Sequence, residues 1–488
     1  HHEVYLAIVE LLRDIDASII DAKGCIPTSA PSAAMKVMQH LSPHDSYFPP
    51  PLWVQQFGLD TYKGAISFCS CPGYHTHLSV VDISSAYPHI MTLLPDFATA
   101  EYRRVKPGKY IQEKYKGKWG SLEVSGESFD SIYPPLVEYS EGKQKGIYGK
   151  FKRFKATIPE IYIGVARGAL RIDQVHDGFI MEGTSDTSGL KKFIEEMYAI
   201  KSSAEKNGPL YLMAKLLMNS LYGKFIEKRH KFSTVPNIDE KGNHLTVPNI
   251  PDKKIIKEVK NMWQTYGYEA VEAYMSNYCV EKQSSYEQVS LNDYLSEESY
   301  ESGRYFNSAI ASQITGFTRA KLMAAAAYLK AYQGDTDSLF VDSEKVSDEN
   351  WKDFIDHMNS LGAITPEKGL GSFEVEAEDC NALLVKKKVY FLEKDGKIKK
   401  IGHHGFSGIA EKDNMTVDEV TKALIEQYWK DGCITYTTKK RPMRLKQALR
   451  YANTIGKFAE KKITLTLVDN PYQERDSNGW LHWKKSAE

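Results

Sequence analysis

Two aspartates one residue apart, Asp335 and Asp337, sit in the segment Tyr332-Gln-Gly-Asp-Thr-Asp-Ser-Leu-Phe-Val-Asp342. Like charges that close raise each other's proton affinity unless a cation neutralises them. No histidine or cysteine stands beside them, and oxygen-only ligands suit Mg²⁺ better than zinc. The flanks set the geometry. The stretch from about Arg304 to Tyr332, with its run Ala324 to Ala327, predicts a long helix, and Leu339-Phe-Val341 predicts a buried strand. The carboxylates therefore belong on a tight turn, with Gly334 expected to permit the bend. A hairpin tip carrying solvated aspartates would have the same composition, because Asp is an ordinary turn residue. What the pair does depends on which other segments reach it.

Leu78-Ser-Val-Val-Asp82-Ile-Ser-Ser85-Ala-Tyr87-Pro88 reads as a β-branched strand ending on a carboxylate, then a turn closed by Tyr-Pro. Joined to the Asp335/Asp337 turn, Asp82 completes a three-carboxylate cradle, the minimum for two divalent ions that bridge a hydroxyl and a triphosphate. Lys215-Leu-Leu-Met-Asn219-Ser-Leu-Tyr222-Gly223 supplies the other half. Spacings of four and three put Lys215, Asn219 and Tyr222 on one helical face. A lysine there meets phosphate oxygens, and a tyrosine one turn on stacks against a base. Carboxylates for metal, a cation for phosphate and an aromatic for a base together describe nucleotidyl transfer.

These segments resemble the motifs of family B DNA polymerases, specifically the protein-primed branch of phages and linear plasmids. Asp82 to Pro88 is similar to the first palm motif, with Ala86 in place of the usual leucine, and Lys215 to Gly223 is similar to the fingers motif at every fixed position. Asp335-Thr336-Asp337-Ser338 resembles the second palm motif, with Gln333 where a tyrosine is usual. Lys388-Val-Tyr390 resembles the primer-contacting Lys-x-Tyr element, and Tyr62-Lys-Gly64-Ala65 the template-contacting Tyr-x-Gly-Gly/Ala element. The five stand in the family's order.

The resemblance implies a role for each matching residue. Asp82, Asp335 and Asp337 are the implied catalytic carboxylates and the ligands of two Mg²⁺ ions, which Mn²⁺ can replace. Ile83, Ser84 and Ser85 are implied to touch the triphosphate of a dNTP. Tyr87 is implied to lie under the sugar and exclude a 2′-hydroxyl, while also reading as a core tyrosine packed on Pro88. Lys215 binds phosphate, Asn219 positions the nucleotide and Tyr222 lines the nascent base pair on the same grounds. Lys201 reads as a second phosphate cation or as an ordinary solvated lysine. Tyr62, Gly64, Ala65, Gly223, Lys224, Thr336, Lys388 and Tyr390 are the implied contacts to primer–template DNA. Lys386 and Lys387 fit general electrostatic attraction.

Bulk composition is neutral on the question, with 63 basic and 63 acidic residues among 488. The basic runs Lys224 to Lys231, Lys386 to Lys388 and Lys439 to Lys446 count only because they flank the motifs, while Glu281 to Glu301 reads as a solvated acidic insertion. No apolar stretch approaches a membrane span, and six scattered cysteines fit reduced thiols in a cytoplasm, a host's if the source is viral. Cys69, Cys71, His75 and His77 offer zinc-ligand chemistry, but Pro72-Gly73 reads adequately as a plain hairpin turn.

The implied architecture is an α+β right hand: a palm of antiparallel sheet, a fingers helix pair and a thumb, with protein-primed-type insertions. The first palm part is placed at 61–133, an insertion that would meet a terminal protein at 134–183, and the fingers at 184–226. A second insertion is placed at 227–303, the remaining palm at 304–405, and the thumb with the C-terminal tail at 406–488, the tail from Asp469 to Glu488 being polar and expected to be mobile. Residues 1–60 resemble the tail end of a proofreading exonuclease domain. Asp14-Ile-Asp16 sits in a helix-like context unsuited to catalysis, so the expectation is no proofreading by this chain alone and an exonuclease supplied in trans or further upstream. Tyr87 argues against a ribonucleotide polymerase. Carboxylates that repel one another argue against a retired scaffold.

Overall fold

The computed structural model describes residues 29–44, 47, 49–140, 143–230, 305–402, 416–431 and 472–485, with short strand pieces at 247–248, 286–287, 300–302, 433–437, 441–442, 458–459 and 462–466. The chain forms two compact units, residues 1–227, 304–403 and 465–488 in one, residues 228–303 and 404–464 in the other. The expectations for Asp14 and Asp16 lie outside the described residues, as do almost all of Glu281 to Glu301 and Lys439 to Lys446. In the second unit a helix runs over Val417–Asp431, and Lys228–His230 pairs with Tyr300–Ser302.

In the first unit, helices α1 (Ala30–Leu41) and α2 (Leu52–Thr61) precede strands β1 (Ser67–Cys69) and β2 (Gly73–Ile83). β2 begins exposed and becomes fully buried at Val80 and Val81, as its β-branched end demands. Ser85 adopts a left-handed φ of 51°, turning the strand directly into α3 (Ala86–Leu93). Tyr87-Pro88 thus opens a helix rather than closing a turn, and a proline in the first turn sacrifices no helical hydrogen bond.

A second antiparallel sheet follows: β3 (Glu101–Arg104), β4 (Gly108–Lys109), β5 (Trp119–Ser128), β8 (Gly149–Thr157) and β9 (Leu170–Glu182), with the hairpin β6 (Val137–Ser140) and β7 (Lys143–Gly146) beside it in sequence. Its strand order is β3-β9-β5-β8, with β4 also on β9. These strands, from Glu101 onward, form a sheet separate from the one that β1 and β2 join. The reason is visible in β5, whose Leu122 and Val124 point into an apolar cluster while Glu123 and Glu127 point out, so this strand must pair within its own sheet. α4 (Ile158–Ala166) starts with Pro159 and a capping box, Thr157 with Glu160.

Two antiparallel helices come next. Ser188 caps α5 (Gly189–Ser203) by accepting from the Lys191 N–H, and α6 (Pro209–Leu221) starts on proline. Their facing side chains Phe193, Ile194, Met197, Met213, Leu217 and Met218 are fully buried, each large apolar group contributing about 1.5–3 kcal/mol.

α7 (Ser308–Leu329) is the spine: all but Ala327 and Tyr328 of its residues are buried, the mark of an interior helix. After it come β10 (Gln333–Asp335), β11 (Ser338–Asp342), α8 (Asp348–Ser360), β12 (Phe373–Lys386), β13 (Val389–Lys394) and β14 (Lys397–Gly402). The main sheet is antiparallel, seven strands in the order β1-β10-β11-β2-β12-β13-β14. The C-terminal stretch corrects another expectation. Instead of a mobile tail, β15 (Gln473–Arg475) and β16 (Leu481–Trp483) form a docked hairpin, in which Leu481 and Trp483 donate backbone N–H groups to Ser70 and Ser131 at 2.7 Å each. Trp480, Leu481 and Trp483 outweigh their polar neighbours, and Trp480 lies 5.2 Å from Tyr332. No helix among the described residues is long and apolar enough to cross a membrane.

Candidate active site

The turn between β10 and β11 is built differently from expectation. Thr336, not Gly334, takes the left-handed conformation, with φ 62°. Gly334 stays in the strand for another reason: a Cβ there would lie 2.5 Å from the Phe68 ring. Pairing of β11 with β2 sets Ser338 opposite Asp82, and the Ile83 N–H donates to the Asp337 carbonyl at 2.8 Å, so Asp82 and Asp337 meet at adjacent strand ends. Asp335 turns elsewhere. Its Oδ1 accepts from Ser67 Oγ at 2.8 Å and Thr336 Oγ1 at 3.1 Å, and Lys388 Nζ lies 3.3 Å away.

Burial, then repulsion from Asp337, pushes the Asp82 carboxyl well above the usual carboxylate range; burial and Asp335 do the same to Asp337. Glu376 raises both further, and Lys400, held to Glu376 at 2.6 Å, partly relieves them. Among the described residues no three His, Cys, Asp or Glu side chains converge to hold a metal unaided. Two buried carboxylates that resist ionising together nevertheless fit a hard divalent cation, which completes its shell with other oxygens such as phosphates and water.

Asp82 and Asp337 border a cavity of about 680 Å³ whose lining includes Ser84, Ser85, Tyr87, Lys201, Lys206, Asn207, Tyr211, Lys215, Asn219, Tyr222, Thr336, Glu374 and Glu376. Lys201 donates to Ser85 Oγ at 3.0 Å and stands 5.5 and 5.8 Å from the rings of Tyr198 and Tyr211. Burial, then Lys215, holds its pKa below the ordinary lysine value. Tyr87 meets Tyr222 edge to face at 4.8 Å. Ile83 is outside the lining: its side chain is 1% exposed, and the N–H groups of Ile83 and Ser84 donate to the Asp337 and Ser372 carbonyls.

The other expected DNA contacts are distributed more widely. Gly64 and Ala65 offer carbonyls to Arg319 and to the Tyr139 hydroxyl, each at 3.0 Å, and Tyr62 is half-buried. Gly223 faces open space, while Lys224 pairs with Glu227 at 3.1 Å. Tyr390 is buried between Phe340 and Gly402. The Cys69/Cys71/His75/His77 group is not assembled for zinc: His75 Nε2 bonds the Cys71 carbonyl at 2.9 Å, and His77 faces Asp379 at 2.8 Å.

Sequence reasoning missed Lys206, Asn207, Tyr211, Glu374, Glu376 and Lys400. The alternation Glu374-Val-Glu376 carried a period-two signal, but only the pairing of Glu374 with Asp82 shows where that face points.

A family model described as DNA polymerase type B, organellar and viral, matches residues 60–307. A probable DNA polymerase of Ascobolus immersus is 57% identical over 35 residues, which is 7% of this chain and 3% of that protein. Phi29 DNA polymerase in an orthorhombic crystal form superposes with a TM-score of 0.57 at 16% identity, covering 94% of this chain and 70% of that one. Its ternary complex with primer–template DNA and incoming nucleotide gives 0.58 at 15% identity, covering 94% and 69%. At such identities the likeness shows the fold alone, the right-hand α+β architecture.

Proposed function

The chain belongs to the organellar and viral type B DNA polymerases, and from that membership we propose that it adds deoxynucleoside triphosphates to a 3′-hydroxyl under the direction of a DNA template. One observation carries the reading: Asp82 and Asp337 meet in a cavity whose lining also holds three lysines, Lys201, Lys206 and Lys215. Asp82 and Asp337 would hold two Mg²⁺ or Mn²⁺ ions, with Asp335 supporting from the Lys388 side. Divalent cations there supply charge neutralisation at the triphosphate and acidify a primer hydroxyl. The chain's own groups do the positioning. Lys201, Lys206 and Lys215 meet the phosphates as point charges, Ser85 is oriented by Lys201, and the Tyr87–Tyr222 pair walls the sugar and base.

Primer–template DNA would contact Tyr62 to Ala65, Gly223, Thr336 and Lys388. A terminal protein would engage the second sheet, whose exposed rim carries the ion pairs Arg103–Glu182, Arg104–Asp177 and Arg171–Glu127. No proofreading is assigned to α1 or α2, where the one acidic residue, Asp60, is engaged by Lys155 at 2.7 Å; an exonuclease would act from elsewhere. Cys69, Cys71 and Cys380 carry free thiols.

The test is extension of a labelled primer–template with Mg²⁺ and dNTPs, run beside Asp337→Ala. Extension by the wild type and none by the variant supports the reading. Tight DNA binding without extension under any divalent cation sinks it.

A further inference from the structure

We infer that a cavity of about 480 Å³, lined from α7, α8, the end of α4 and the loop after β5, is a binding site for a guanine base. It shares no lining residue with the carboxylate cavity, and the inference does not rest on the polymerase reading. Its size falls within the roughly 300–1,000 Å³ of small-molecule sites. Small residues leave the space: Gly168, Ala324 and Ala327 all belong to the lining. Two rings of the same lining, Phe129 and Tyr328, are 47% and 40% exposed, so each keeps surface that the core does not use. Both are held in place. Tyr328 stacks on His357 at 4.5 Å and lies 5.7 Å from Phe354, while the Arg171 guanidinium stands 5.7 Å from the Phe129 ring. Ordered aromatic surface beside an open space suits a stacking partner, and every nucleobase presents a π-face.

The polar anchor is Arg167, whose side chain is only 7% exposed. A Schellman motif fixes it at the end of α4: Gly168, at φ 72°, donates to the Val165 carbonyl and Ala169 to that of Gly164, each at 3.0 Å. The guanidinium donates to Asp130 at 2.9 Å and to the Tyr133 carbonyl, which engages two of its five N–H groups. Asp130 is engaged as well, its other oxygen accepting from the N–H groups of Ile132 and Tyr133 at 3.0 and 2.8 Å. The anchor thus has its charge balanced and N–H groups left over. A neutral acceptor meets that need better than an anion, which would also face the Asp130 carboxylate. Guanine carries the matching edge, O6 beside N7, whereas adenine sets an amino group where O6 would stand. Donors left unfilled in a buried setting cost free energy, so stability alone is a poor explanation for a half-used guanidinium beside an open cavity.

The experiment is calorimetric titration of the full chain with guanosine and with adenosine, neither of which carries phosphate for the lysine-lined cavity. Guanosine is expected to bind at least about tenfold more tightly than adenosine, the discrimination of one arginine–guanine pair. Ala327→Leu fills the cavity and should abolish guanosine binding. Tyr328→Ala removes an exposed stacking ring and should weaken binding about tenfold. Melting temperatures show whether each variant folds, and Tyr328→Ala carries the test by itself if Ala327→Leu does not. A thymidine oligonucleotide with one central guanine, set against one without, identifies the source of the base. Guanine-dependent binding of the oligonucleotide that Ala327→Leu removes means an unpaired base in a strand; guanosine binding alone means a free nucleoside. No guanine-dependent binding in either arm overturns the inference, as does equal affinity for adenosine or unaltered guanine affinity in either folded variant.

Discussion

Tyr87 and Tyr222 meet edge to face at 4.8 Å, and both border the cavity. If the Tyr87 ring blocks the space of a 2′-hydroxyl, Tyr87→Val opens it. We expect the preference for dNTP over rNTP, measured as a ratio of kcat/KM, to fall by about 10- to 100-fold, the range over which a pocket rejects one extra group. An unchanged ratio would leave Tyr87 as a core tyrosine resting on Pro88. Gln333 makes a different prediction. It is wholly buried, and neither its amide nitrogen nor its oxygen has a hydrogen-bond partner. Gln333→Leu removes that unsatisfied amide at similar volume, and urea unfolding should show a gain of about 1–2 kcal/mol with an unchanged m-value. A loss of stability would mean that the amide is satisfied after all.

At the scale of elements, what could be read from sequence was what depends on neighbours in the chain. The strand ending on Asp82, the hairpin around Thr336 and the helix pair bounded by Ser188 and Pro209 all announce themselves by alternation, turn chemistry or caps. What could not be read depends on distant pairing. β12 shifts register three times against β2, so no count along the sequence brings Glu374 and Glu376 to the site. β3 joins the second sheet only through β9, its partners lying 75 to 81 positions away in the chain. The C-terminal hairpin was hidden by its polar composition, since three apolar side chains decide its fate. Trp483 is 6% exposed and packs against Gly146 of β7, where a Cβ would lie 2.9 Å from the indole. Trp483→Ala should therefore cost about 3 kcal/mol in denaturant unfolding and open residues 472–485 to protease. A variant as stable and as resistant as wild type would show that the hairpin contributes no anchorage.

For the molecule as a whole, α7 joins the loops that flank the carboxylates. Arg319 grips residues 63 and 64; two positions on, Lys321 donates to the carbonyls of Ile364 and Gly371 at 2.9 and 2.6 Å, and the Gly371 N–H in turn donates to Ser84. Lys321 is 1% exposed, has the Phe373 ring 5.2 Å away, and by burial is pushed down from 10.5 to about 7; His89, by burial and then by Lys321, is pushed down from 6.5 to about 3. Both groups make the folded chain bind fewer protons than the unfolded one. Between about pH 7 and 10.5 unfolding takes up a proton at Lys321, and between about 3 and 6.5 it takes one up at His89, so each group by itself makes stability rise with pH in its window, His89 against the opposite slope of the raised Asp82 and Asp337 carboxyls. The two carbonyls favour the ammonium and oppose burial, so the Lys321 slope is at most about 1.4 kcal/mol per pH unit. Unfolding free energies measured from pH 7 to 10 should climb in the wild type. In Lys321→Met the curve should start lower, because two carbonyls lose their donor, and climb less steeply over that range, the remaining rise coming from groups such as Lys63, which burial pushes down to about 8. An equally steep climb in the variant would assign the dependence to other groups, and a flat wild-type curve would mean that the ammonium stays charged in the core, held by Ile364 and Gly371.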